Sequence, residues 1–172
     1  MNGEAVGAVG ETLGAIAVVV TLIYLASQLR QNTKALRSST YEAYANSGTA
    51  INDFMGRHAE EISAVLNDLD GYSNRVREGL PPTVQEVVFI NYAHRMFNLM
   101  ETTFLHHREG SLGDDVFKGR VSGFGAVMRT QPGLGVVWDE AGGKELGYTA
   151  EFREFMQNDI IGSEGADHLA KA

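Results

Sequence analysis

The chain has 172 residues, room for one modest core once an anchor is set aside, and it carries a net charge of −8 with no cysteine. Those values exclude disulfides, a thiolate metal site and a cysteine nucleophile. An acidic chain without a basic patch also speaks against a nucleic-acid partner.

Residues Thr12 to Leu29 (TLGAIAVVVTLIYLASQL) carry no charge, and Arg30, Lys34 and Arg37 follow at once. This stretch of 18 residues spans roughly 27 Å as a helix, close to a hydrocarbon core of about 30 Å. Leu13, Ile16, Val18, Val19, Val20, Leu22, Ile23 and Leu25 point all round it, whereas a core helix of this length shows a polar stripe. Glu4 and Glu11 stand where a signal peptide carries Lys or Arg, so a cleaved leader is not expected. The flanking charges predict an N-terminus outside and a C-terminal domain in the cytoplasm, at the inner membrane. Gly3, Gly7, Gly10, Gly14, Ala17 and Thr21 recur three or four apart, the pattern by which small residues let two membrane helices approach.

The helical pattern continues past the span. Leu29, Leu36, Ala43, Tyr44, Ser47, Ile51, Phe54 and Met55 keep the spacing, so the first helix is predicted to reach Met55, with a bend at Gly48 and a stop at Gly56. A short helix follows over His58–Asn67, with Ile62, Val65, Leu66 and Leu69 inward. The stretch Asp70–Pro82 reads as a connection, broken by Gly71, Gly79, Pro81 and Pro82. Thr83 and Glu86 form a capping box for a helix from Val84 to about Arg108, with Phe89, Ala93, Met96, Phe97, Met100 and Phe104 on its buried face. Ten of the chain's 20 glycines lie between Gly110 and Gly147, which predicts short helices there. Asp114 is expected to cap one over Asp115–Arg129, and Val136, Val137 and Trp138 fall in a turn. Thr149 caps a last helix, Ala150 to about Ile161, and a polar tail runs from Gly162 to Ala172. The reading is all-α: an anchor over 1–29, a helical cytoplasmic domain over 30–161 and a tail over 162–172, with no cofactor expected.

Chemistry-bearing motifs are weak. His94, Asn98 and Glu101 share a helix face, but no histidine follows a glutamate by three, as a di-iron bundle requires. His106 and His107 suit a helix C-terminus. Gly123-Phe124-Gly125 and Gly133-Leu134-Gly135 lack a following Lys-Ser or Lys-Thr, so neither reads as a phosphate loop. The pairs Glu60-Glu61, Asp114-Asp115 and Asp139-Glu140 are ordinary surface acids. The aromatic spacing fits a plain bundle core, or else an apolar pocket among Phe89, Phe97, Met100, Phe104 and Trp138 for a lipid or pigment-like ligand.

The segment around Val18, Val20, Thr21, Leu22, Tyr24, Leu25, Ala26, Gln28, Arg30, Asn32 and Thr33 has the form V-x-V-T-L-x-Y-L-A-x-Q-x-R-x-N-T. It resembles the N-terminal anchor of a set of bacterial proteins of unknown function. Pro132, Gly133, Trp138, Glu151, Phe152 and Phe155 match their ending as well. The resemblance implies a membrane-anchored helical protein and supplies no catalytic residue. Gln28, Arg30, Asn32 and Thr33 sit where the helix leaves the bilayer, and contacts from Gln28, Asn32 and Thr33 to the Trp138 segment or to a neighbouring helix are expected. The expected function is therefore an interaction protein, a homo-oligomer or accessory subunit whose partners are membrane lipid and itself or another membrane subunit. The alternatives are a sensory module using the apolar pocket and a tethered enzyme using His94 and Glu101.

Overall fold

The computed structural model describes residues 3–139 and 147–162; the side chains of residues 4–6 and 12 also lie outside the description. Glu140 and the expected tail beyond Gly162 fall outside it too. Every regular element among the described residues is helical: α1 (Gly3–Arg57), α2 (Ala59–Asn67), α3 (Leu69–Arg77), α4 (Val84–Arg108), α5 (Asp114–Thr130), α6 (Gly133–Asp139) and α7 (Ala150–Phe155), which continues as a π-helical stretch over Met156–Ile161. The chain divides into two units, Met1–Ser39 and Thr40–Ala172. The first holds only the leading part of α1. That helix passes through Gly48 unbroken and ends one residue beyond Gly56.

The second unit has its own core, centred on α4. Phe89, Tyr92, Ala93, Phe97 and Met100 are buried along one side of it, as the helical spacing requires. Around them lie Ile51 from α1, Ile62 and Val65 from α2, Tyr72 from α3, Val121 and Phe124 from α5, Leu134, Val137 and Trp138 from α6, and Phe152 from α7. Phe97 makes edge-on contacts with Phe124, Trp138 and Tyr148, at centroid distances of 6.3, 5.0 and 6.4 Å.

The capping box at the start of α4 is present as read. The Thr83 hydroxyl accepts the Glu86 N–H at 3.2 Å, and the Glu86 carboxylate accepts the Thr83 N–H at 2.6 Å. Glu86 is only 5 % exposed, and its second oxygen accepts Arg75 Nε at 3.0 Å. Arg75 also donates to the Pro81 carbonyl at 2.8 Å. One buried carboxylate thus caps α4 and ties α3 to it. Both helices end on left-handed glycines, Gly79 at φ 66° and Gly110 at φ 74°.

Three local expectations are corrected. Residues 69–77 are helix rather than connection: Asp68 accepts the Gly71 N–H at 3.2 Å and so caps α3. A Cβ on residue 71 would run into that carboxylate, so this glycine permits the cap instead of breaking the helix. Asp114 does not cap α5. Gly113 occupies the cap position without a side-chain bond, and Asp114 turns to His107 Nε2 at 3.0 Å. The Val136–Trp138 turn is the helix α6. Both Gly-x-Gly runs lie inside helices, α5 and α6.

Gly133 packs where a side chain has no room. A Cβ there would come within 2.8 Å of Leu69 Cδ2 and 2.9 Å of Phe89 Cζ, whereas Gly135 faces open space. Gly133→Ala is expected to destabilise the protein by about 1–3 kcal/mol through overpacking. Gly135→Ala is expected to be neutral or to gain up to about 1 kcal/mol from helix propensity. Thermal unfolding followed by circular dichroism checks the contrast.

Candidate functional site

The apolar surface of α1 is the most conspicuous feature of the first unit. Leu13, Ile16, Val18, Val19, Val20, Leu22, Ile23 and Leu25 are each 53–66 % exposed. The most apolar window of 18 residues has a mean hydropathy of 2.0, and none of it is buried. Full transfer of eight such side chains out of water is worth on the order of 10 kcal/mol or more, comparable to the whole stability of a typical domain.

A continuous helix also fixes which residues share a face. At 100° per residue, Gly3, Gly7, Gly10, Gly14, Ala17 and Thr21 fall within about 40° of one line. All six are exposed, and a Cβ at any of the four glycines would meet nothing within 4 Å. Gln28 and Asn32 continue that line, whereas Arg30 and Thr33 turn away from it. The polar groups near the end of the span bond along the helix itself. Thr21 Oγ1 donates to the Ala17 carbonyl at 2.8 Å, Gln28 Nε2 to Tyr24 Oη at 3.1 Å and Thr33 Oγ1 to the Leu29 carbonyl at 2.9 Å.

In the second unit, one of the two residues considered for catalysis has structural work. Glu101 is half-buried and accepts the Thr149 N–H at 2.7 Å, while Thr149 Oγ1 accepts the Phe152 N–H at 3.3 Å. The expected cap of α7 is thus present, and a carboxylate from α4 anchors it. His94 is half-buried, and burial lowers its pKa below the usual histidine value. His106 Nδ1 lies 3.0 Å from Ser111 Oγ, and His107 stacks on Phe117 at 4.0 Å. No group of three His, Cys, Asp or Glu side chains among the described residues could hold a metal ion.

Four of the five side chains read as an apolar pocket are buried in the core, and Phe104 packs against it. Phe89 and Phe97 are fully buried, Trp138 is 1 % and Met100 3 % exposed, and Phe104 stacks on Phe155 at 5.0 Å. Met100 also lines a surface hollow of about 280 Å³ that the sequence did not reveal. Its walls include Tyr44 from α1, Met96 and Leu99 from α4, and Gly119, Gly123 and Phe124 from α5. The Arg120 guanidinium lies 4.1 Å from the centre of the Tyr44 ring. The readable signal was the pair Gly119 and Gly123, four apart inside a helix that contains them without interruption.

The chain matches no protein-family model, no curated protein and no solved structure.

Burial, reinforced by the negative charge of Glu101, pushes the Tyr148 phenol from 10.0 up to about 12. Its contribution to stability is full below about pH 10 and is lost as pH rises towards 12. In an alkaline titration followed by phenolate absorbance, the step near pH 12 is expected to disappear in Tyr148→Phe. The same step surviving in that variant would assign it to another tyrosine.

Proposed function

We propose that this chain is a single-pass membrane-anchored interaction protein, acting as a homo-oligomer or as an accessory subunit of a larger membrane complex. The observation that carries the reading is the exposure of α1's apolar residues on every side. In water such a surface is unfavourable, and lipid satisfies it without any partner from the rest of the chain. The helix also bonds its own backbone internally, as hydrocarbon requires.

Arg30, Lys34 and Arg37, just after the apolar run, support an orientation with the larger unit in the cytoplasm at the inner membrane. The small-residue line from Gly3 to Thr21 supports helix–helix association within the bilayer, because close backbone approach strengthens van der Waals packing there. Gln28 and Asn32 carry the same line past the end of the apolar run, so a neighbouring helix would meet polar groups at that level. The resemblance of the anchor to that of the bacterial set supports the same reading.

The test is expression of the full chain, followed by alkaline extraction of membranes and native purification in mild detergent. Retention in the extracted membrane and migration as an oligomer or with a larger complex are expected. Replacing Gly10 and Gly14 together by Ile is expected to reduce the assembly to monomer while the chain stays membrane-bound. Release of the intact chain by alkali would reject the anchor. A monomeric wild type would reject the interaction role.

A further inference from the structure

We infer that the hollow between the Thr40–Arg57 part of α1, α4 and α5 is a binding site for a single aliphatic chain with an anionic head. The site lies wholly within the second unit and does not depend on the membrane reading of the first.

Its walls are those of an aliphatic ligand site. Met96 and Met100 supply adaptable, polarizable surface, and Leu99, Phe124 and Val127 supply fixed apolar surface. The remaining wall is kept open by glycine. Gly119 and Gly123 stand on one face of α5, and a Cβ at either would meet nothing within 4 Å. Glycine disfavours a helix interior, and here close backbone packing does not account for it, unlike Gly133. What the two glycines provide is space.

The volume of about 280 Å³ lies just below the usual range for small-molecule sites, which starts at roughly 300 Å³. It fits one flexible chain better than a fused ring system. The charge of the occupant follows from Arg120. Its guanidinium is exposed at the hollow and held over Tyr44, its five N–H donors have no carboxylate partner among the described residues, and no acidic side chain lines the walls. On a chain with a net charge of −8, a lone cation over an apolar recess selects an anionic amphiphile. A free fatty acid and the acyl chain of an anionic phospholipid share that chemistry.

Photolabelling of the full chain in phosphatidylcholine nanodiscs tests the site, with the same reaction in buffer if the chain stays soluble without lipid. A diazirine-bearing decanoate is expected to label peptides containing Met96–Met100 and Gly119–Val127, and unlabelled decanoate is expected to compete. Gly123→Leu fills the recess with a better helix former, so labelling is lost while the melting temperature is kept or raised. Arg120→Gln lowers labelling about tenfold, the loss of one charge-assisted hydrogen bond. A diazirine decanol, which lacks the charge, labels correspondingly less. If a diazirine phosphatidylglycerol placed in the disc labels the same peptides, the bilayer supplies the ligand; if only the free acid does, the source is soluble. Both results support the site. Adducts confined to the apolar part of α1, labelling that persists in folded Gly123→Leu, or equal labelling by decanol would overturn it. So would a cross-link showing a second copy seated in the recess. Should Gly123→Leu fail to fold, Arg120→Gln and the decanol comparison decide.

Discussion

The apolar side chains of α1 between Leu13 and Leu25 are more than half exposed all round the helix, so what surrounds the helix decides their free energy. The described valine, leucine and isoleucine side chains before Gln28, residue types that ordinarily form cores, are exposed and are not among the buried core residues. That core is built from a smaller and more aromatic set, and it closes without them.

The aromatic set is organised by α4. Phe97 is the hub, since α5, α6 and Tyr148 ahead of α7 each bring a ring to it. Rings alone fix distance better than direction, and direction is supplied by two carboxylates on the same helix. Glu86 holds the start of α4 and the end of α3, while Glu101 receives the first N–H ahead of α7. Each acid accepts a backbone N–H in a place partly shielded from solvent, where a charge-assisted bond is stronger than in water. The short helices of this unit are too brief to be stable alone, and such attachments compensate.

Where a rule acts over a few residues, the sequence already displayed it. The Thr83–Glu86 box, the Thr149 cap, the bounds of α4 and the long continuous α1 all follow from local chemistry that no distant residue overrides. The misread places depend on partners. Gly71 looks like a breaker until Asp68 is seen folding over it, and Asp114 looks like a cap until His107 competes for its carboxylate. The apolar pocket shows the same limit. Periodicity placed Phe97 inward but could not tell a filled interior from a hollow one, because that difference is set by how three helices approach one another. The recess that does exist owes its shape to two residues without side chains, which a search for chemistry-bearing groups passes over.

The π-helical stretch after α7 has a consequence for what this domain tolerates. Phe152, Met156 and Ile160 are all buried at intervals of four, which keeps them on one side of the helix, and the last two lie in the stretch where each turn is wider. The Gly162 N–H reaches back five residues to the Gln157 carbonyl, closing that wider turn. The chain there holds more residues per unit height than an α-helix would. Removal of a single residue ahead of Ile160 would swing that side chain off the core, whereas exchange of an exposed side chain leaves the wider turn standing. The carboxy-terminal edge of the fold is thus sensitive to length as well as to the identity of its buried residues.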